Sequence, residues 1–225
     1  SHGKGIAGMR APVKFAMITL IGLGLGWFFY SKLGVHAIHV PFAGAWEVGV
    51  WIIPIFAFAV VATGNAVNIT DGLDGLAGGL ASSAFFAYAV IAILDQQFGL
   101  AGFCFTMLGA LVSYLWFNIY PARFFMGDVG AFALGCSLAV VAMLTDTLFV
   151  LPLIGLVFVM ETLSVIIQLT SKRIRHKKIF KSAPVHHHLE ASGWPETKVT
   201  MRFWLIGAVC AVAGLIFAIV GGCIK

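Results

Sequence analysis

The run FWLIGAVCAVAGLIFAIVGGC, Phe203 to Cys223, decides the fold, because twenty-one residues pass in it without a charged side chain. About 20 mostly apolar residues suffice for an α-helix to cross roughly 30 Å of hydrocarbon. Working back from this run, comparable stretches lie at 12–30, 48–64, 76–94, 98–117, 129–145 and 147–169, giving seven predicted spans. Each stretch is continuously apolar instead of alternating, which excludes barrel strands and leaves the helix as the structure that satisfies its own backbone in lipid. With 60% hydrophobic and 10% charged residues and a mean hydropathy of +1.00, a soluble globule with a wetted polar skin is excluded as well. The chain is therefore predicted to be an all-α integral membrane protein, a polytopic bundle of about seven transmembrane helices in the lipid bilayer. Residues 1–225 are expected to form a single transmembrane catalytic domain.

If the spans alternate in direction, one side of the membrane receives segments 1–14, 63–75, 117–128 and 170–202. Twelve of the fourteen Lys and Arg residues fall on that side, and Lys32 and Lys225 fall on the other. The positive-inside rule places the basic side in the cytoplasm, with loops 63–75, 117–128 and 170–202 cytoplasmic and the carboxyl end outside. The net charge of +5 then belongs to one membrane face, where it attracts anionic head groups and phosphorylated substrates. No nucleic acid partner is expected, since the bases do not alternate with exposed aromatics on a soluble domain. Cys104, Cys136, Cys210 and Cys223 lie within spans at no metal-ligand spacing and read as packing residues. The GLGLG of Gly22 to Gly26 also lies inside a span, where small residues serve close helix packing and not nucleotide binding. The chain starts without Met, and its basic stretch 1–14 lacks a small-residue cleavage site, so Ser1 is expected to be an internal position of a longer protein.

Nearly every unusual polar residue falls on the basic side, in three clusters. The first is NAVNITDGLDGLAGG, Asn65 to Gly79, between the second and third spans. Thr70 is expected to cap a helix, with Asp71 and Asp74 on one face of its first turns. A helix N-terminus there suits a carboxylate, a phosphate or a hydrogen-bonded nucleoside; the bland alternative is an ordinary Asn/Asp/Gly turn. The second is FNIYPARFFMGDVGAFALG, Phe117 to Gly135, in which Asp128 stands between two glycines at the mouth of a span. A bare carboxylate opposite Asp71 and Asp74 is what a magnesium-diphosphate site requires, because Mg²⁺ takes one or two carboxylates with phosphate oxygens and water. Phe124 and Phe125 either stack on a flat base or anchor the interface.

The third cluster is IFKSAPVHHHLEASGWPETKV, Ile179 to Val199, in the long basic loop. Consecutive residues point in different directions on a helix or a strand, so His186, His187 and His188 lack the spacing of a zinc site. They read better as donors to phosphate or sugar, with an inert solvated loop as the alternative, in a loop whose Lys177, Lys178, Lys181 and Lys198 can gather an anionic donor. Glu161 and Gln168, seven apart in the sixth span, share a helical face. Burying a charge at midplane costs about 2.5–3.5 kcal/mol on insertion scales, so Glu161 is expected to face the bundle interior or to mark a helix break.

These strings, together with ETLSVIIQ at Glu161 to Gln168, resemble the phospho-N-acetylmuramoyl-pentapeptide-transferases, the translocase I branch of the polyprenyl-phosphate N-acetylhexosamine-1-phosphate transferase family. The match runs over essentially the whole chain in the right order, and the histidine motif is its most specific part. The resemblance implies transfer of phospho-N-acetylmuramoyl-pentapeptide from UDP-N-acetylmuramoyl-pentapeptide to undecaprenyl phosphate, giving lipid I and UMP with Mg²⁺ at the cytoplasmic face of the bacterial inner membrane. It implies Asp71, Asp74, Asp128 and His187 as catalytic candidates and Asp128 as the magnesium ligand. The substrate-binding candidates are Asn65, Asn68, Asn118, Phe125, Gln168 and His186, His187 and His188, with Phe125 stacking on uracil. A homodimer is an assembly to test. Members of the family have about ten spans and an acidic DDxxK motif before the span matching the first one here, so the chain is expected to be the carboxyl-terminal two-thirds. The alternatives are the sister enzyme that moves N-acetylglucosamine phosphate and, in a different class, a membrane transporter, whose sites would lie near midplane.

Overall fold

The structure, a computed structural model, describes residues 11–224, so the predicted placement of 1–10 lies outside the described residues. Nine α-helices and one small hairpin follow in chain order among them. Helix α1 is Ala11–Ser31; strands β1, Ala37–Val40, and β2, Gly44–Glu47, pair antiparallel; a 3₁₀ turn, Gly49–Trp51, leads into α2, Ile52–Thr70. Then come α3, Leu76–Leu94; α4, Phe98–Asn118; α5, Gly127–Leu144; α6, Leu151–Ile154; α7, Leu156–Arg175; α8, Val185–Glu190; and α9, Glu196–Val220. Six helices are long and apolar enough to cross a membrane, which establishes the predicted all-α polytopic architecture.

The seventh predicted span, 147–169, is realised differently. It is divided at Gly155 into the short α6 and the longer α7. The pair still carries the chain from one end of the bundle to the other. At one end the Asp146 carboxylate accepts the His39 N–H at 2.9 Å, and at the other Glu161 meets His186 at 3.0 Å. Helix α7 is amphipathic in an inverted sense. Glu161, Ser164, Gln168 and Ser171, on one face by helical spacing, are buried, whereas Leu163, Ile166, Leu169 and Ile174 are exposed. Its last turn carries three bases, Lys172, Arg173 and Arg175, and runs beyond the predicted apolar stretch.

Other boundaries move for local reasons. Helix α2 continues through Thr70, whose hydroxyl bonds back to the Ala66 carbonyl at 2.7 Å, so Thr70 ends a helix instead of capping the next one. Asn65 and Asn68 consequently stand on α2 and not in a loop, and Asp71 and Asp74 occupy a tight turn before α3. The predicted loops 63–75, 117–128 and 170–202 shrink to 71–75, 119–126 and 176–195, the last holding α8.

Helix α3 is the most enclosed element and packs against α4 and α9, while α2 lies between α1 and α5. Phe85, Tyr88, Ile91 and Leu138 centre one buried cluster, and Phe29, Ile52, Phe56 and Val60 a second. In hydrocarbon, apolar burial gives no net drive between helices, so close backbone approach has to supply the packing energy. Gly22 and Gly26 do this for α1, as their sequence context predicts. A Cβ at Gly22 would stand 2.9 Å from Ala57 Cα, and one at Gly26 2.7 Å from the Ile53 carbonyl oxygen. The four cysteines are free and serve packing.

Candidate functional site

The polar clusters, far apart in sequence, meet at the end of the bundle opposite the hairpin. Asp128 lies in the first turn of α5, after Gly127 at φ 62°, with its side chain about half exposed. One carboxylate oxygen accepts a hydrogen bond from the Asn68 amide of α2 at 3.0 Å, and the other is paired with the Lys14 ammonium of α1. Three helices thus converge on one carboxylate. Asn65, one turn earlier on α2, donates its amide to the Val61 carbonyl at 2.7 Å.

The turn TDGLDG is held from several sides. Gly75 adopts φ 74°, a conformation that favours glycine, and its N–H donates to Asn118 Oδ1 at 3.0 Å while Asn118 Nδ2 donates to the Phe124 carbonyl at 2.9 Å. Buried Asn118 therefore fastens the Asp turn to the loop preceding Asp128. Asp74 accepts the Ala122 N–H at 2.9 Å, and its own N–H donates to Glu196 Oε1 at 2.7 Å. The Trp204 indole N–H donates to the Gly75 carbonyl at 3.0 Å, bringing α9 onto the same turn. Asp71 is different: it is half-buried, and desolvation raises its carboxyl above the ordinary aspartate value.

The three histidines diverge, as their adjacency requires. His186 is fully buried; its Nδ1 lies 3.0 Å from Glu161 Oε2 and its backbone N–H donates to Glu161 Oε1 at 3.2 Å. Its Nε2 has no hydrogen-bond partner among the described residues and lies against Gly72, where a Cβ would collide with the ring. His187 Nδ1 is 2.7 Å from Glu190 Oε2, and His188 Nδ1 accepts the Lys181 N–H at 3.1 Å. Gln168 is buried and ties down the basic loop, its Oε1 accepting from the N–H groups of Ile179 and Phe180 at 3.0 Å each. Of the two neighbouring phenylalanines, Phe124 packs edge-on against Tyr114 at 5.4 Å, whereas Phe125 is 67% exposed beside the mouth where Asp128 stands.

Asp128, Asn68, Asp71, Asp74, Asn118 and His186 are thus drawn onto one framework, while His187, His188 and Gln168 bind the loop 176–190 internally. Lys14, Tyr114 and Glu196 join the framework without having been singled out in the sequence; Tyr114 accepts the Met126 N–H at 3.2 Å. Glu196 had one visible signal, a carboxylate in the first helical turn after Pro195, yet nothing local shows that it reaches back to Asp74. Among the described residues no three His, Cys, Asp or Glu groups stand close enough to hold a metal by themselves. Asp128 nevertheless suits Mg²⁺, which needs few protein carboxylates when phosphate and water complete its shell, and its oxygens already face a cation, the Lys14 ammonium.

The sequence model of glycosyl transferase family 4 matches residues 6–146, which include Asn68, Asp71, Asp74 and Asp128. A phospho-N-acetylmuramoyl-pentapeptide-transferase of Chloroflexus aurantiacus is 48% identical over 193 residues, 82% of this chain and 53% of the relative. The protein of that name from Chloroflexus aggregans is 47% identical over 228 residues, 96% of this chain and 62% of its own length, so that alignment spans the histidine loop. The one from Levilactobacillus brevis is 42% identical over 208 residues, 92% of this chain and 64% of the relative. The chain accordingly spans between half and two-thirds of the length of these relatives. With more than half of its residues matched by the family model and its polar motifs assembled at one end of a helical membrane bundle, the chain belongs to glycosyl transferase family 4.

Proposed function

We propose that the protein acts in the transfer of phospho-N-acetylmuramoyl-pentapeptide from its UDP-linked donor to undecaprenyl phosphate, at the cytoplasmic face of a bacterial inner membrane. The observation that carries this reading is the Lys14–Asp128–Asn68 cluster beside the Asp71 to Gly75 turn: carboxylates, a cation and amides at one membrane end. A transporter would place such groups along a midplane path. The relatives' shared name supplies the group that is transferred, phospho-N-acetylmuramoyl-pentapeptide.

In the proposed reaction an oxygen of the lipid phosphate attacks the sugar-linked phosphorus of the donor, a new P–O–P linkage forms, and the bond to UMP breaks. Phosphoryl transfer of this kind depends chiefly on positioning and on neutralising charge over the phosphate oxygens. Mg²⁺, when bound, supplies that neutralisation, and Asp128 is the residue to hold it. Asn68 and Lys14 orient the Asp128 carboxylate. Burial raises the proton affinity of the Asp71 carboxyl, which suits it to take up a proton from the attacking lipid phosphate. Exposed Phe125 offers a ring face to the base of the donor, and Glu161 sets the orientation of His186 beneath the Asp turn.

The test uses membranes carrying the protein, given labelled UDP-N-acetylmuramoyl-pentapeptide and undecaprenyl phosphate. The expected result is label in the lipid phase with UMP released one for one, and no transfer from UDP-N-acetylglucosamine. Transfer from UDP-N-acetylglucosamine alone would assign the protein to the sister reaction.

A further inference from the structure

Glu161 is level with the turn at Gly72, because both contact His186, so α7 has already reached the site end of the bundle at its sixth residue. Its remaining fourteen residues extend about 21 Å further, at 1.5 Å per residue. Along that stretch Leu163, Ile166, Leu169 and Ile174 are exposed. Large apolar side chains facing outward, followed by basic residues, are the pattern of a helix lying in the interface between lipid tails and head groups.

Against this part of α7 lies a pocket of about 160 Å³, closed by the segment 176–184 and lined by Val165, Leu169, Lys172, Lys178, Lys181 and Ser182. It is a built feature. Gln168 clamps Ile179 and Phe180, the Ser171 hydroxyl donates to the Lys177 carbonyl at 2.9 Å, and the Lys181 N–H is held by His188. Lys178 and Lys181, on this short, fixed loop, thereby come together with Lys172 of α7. From Thr162 to Leu189 the chain contains no Asp or Glu, and among the described residues no ion pair involves Lys172, Lys178 or Lys181. One wall is cationic and the other, Val165 and Leu169, is apolar and continuous with the outward face of the helix. Asp71, Asp74 and Asp128 do not line the pocket.

We propose that this pocket binds the phosphate headgroup of an anionic phospholipid, with an acyl chain lying along Val165 and Leu169, and that this lipid seats the outer half of α7 and the histidine loop at the membrane surface. A soluble phosphate compound would use the lysines but not the apolar wall; an amphiphile uses both. The proposal concerns membrane attachment and stands independently of the transfer reaction.

The test is lipid binding to the purified protein in nanodiscs of phosphatidylglycerol and phosphatidylethanolamine, read by native mass spectrometry after release. Wild type is expected to retain phosphatidylglycerol selectively. Replacing Lys172, Lys178 and Lys181 together by Gln is expected to weaken that retention roughly 30- to 100-fold, from the usual attraction of a juxtamembrane base to an anionic lipid. Lys32→Gln, a basic residue at the other end of the bundle, is expected to leave it unchanged, and Lys181→Arg to preserve it. The three lysines are exposed, so the variant should melt like wild type. Equal loss with Lys32→Gln, equal loss of phosphatidylethanolamine, or competition by millimolar inorganic phosphate would overturn the proposal. So would selective retention of undecaprenyl phosphate in place of phosphatidylglycerol, which would make the pocket part of the carrier-lipid site.

Discussion

Asp128 separates charge from shape most cleanly. Asn has the size of Asp and can keep a hydrogen bond to Asn68, but it loses the charge that faces Lys14 and would face Mg²⁺. Asp128→Asn is therefore expected to abolish transfer in the assay described above while leaving the melting temperature within a few degrees of wild type; retained turnover at ordinary Mg²⁺ would remove it as the metal-holding residue. Asp71 gives a pH-dependent expectation. Its folded carboxyl is raised by desolvation above the unfolded value of 3.8, so above both values folding bears the cost of a half-buried charge. That cost fades as pH falls through the folded value. Asp71→Asn is accordingly expected to raise Tm modestly at pH 7, by roughly 1–3 °C, to lose this advantage as pH falls toward 4, and to impair transfer at every pH. A Tm gain that grows on acidification would show the sign to be wrong. His186 differs from its two neighbours in being buried against Glu161 and Gly72. Losing a hydrogen bond to a charged group costs roughly 1.5–3 kcal/mol, so His186→Ala is expected to lower transfer roughly 10- to 100-fold, more than His187→Ala or His188→Ala. Equal effects at all three would deny His186 a separate part.

Among the elements, α1 and α7 carry the clearest consequences. Helix α1 approaches α2 through Gly22 and Gly26, whereas Gly24, between them, has open space around it. Gly26→Leu would force two backbones apart and is expected to cost on the order of 1–3 kcal/mol, visible as a lower Tm in mild detergent and as weaker transfer through displacement of Lys14 from Asp128. Gly24→Leu, which meets open space among the described residues, is expected to change neither; a matching loss there would mean that α1 is rotated from the orientation described. The GLGLG string announced close packing because small residues inside a span serve little else, but which glycine touches which neighbour depends on helix rotation. Helix α7 shows the opposite limit. Composition made it a span, and its break at Gly155 and its polar inner face follow from Glu161, Gln168 and the bases having to be satisfied together. The hairpin of β1 and β2 had no clear sequence signal, since two four-residue strands are stabilised by tertiary partners such as the Asp146 carboxylate and the Gly221 carbonyl.

For the whole molecule, the structure divides the polar groups between two ends. Lys14, the Asp turn, Asp128, His186 and Glu196 share one end, and the hairpin, Asp146 and Gly221 share the other. Cysteines introduced at exposed Ser192 and exposed Glu47 are thus expected to react with an impermeant reagent from opposite sides, Ser192→Cys in inverted vesicles and Glu47→Cys in intact cells; labelling of both from one side would break the alternation of the spans. The sequence by itself determined that the chain is a helical membrane bundle, because the cost of an unsatisfied backbone in hydrocarbon leaves no other structure for continuous apolar runs. It also showed which residues are chemically costly enough to need a purpose: Asp71, Asp74, Asp128 and the three histidines. What the tertiary structure alone decided is how those residues are shared out: that Asn68 and Lys14 serve Asp128, that Asn118 and Glu196 hold the Asp turn, that Gln168 clamps the basic loop, and that one histidine of three is buried beneath Gly72. These pairings join residues as many as 122 positions apart. They depend on the rotation and crossing of helices, which are set by where glycines and small side chains let backbones meet, and no local periodicity records that.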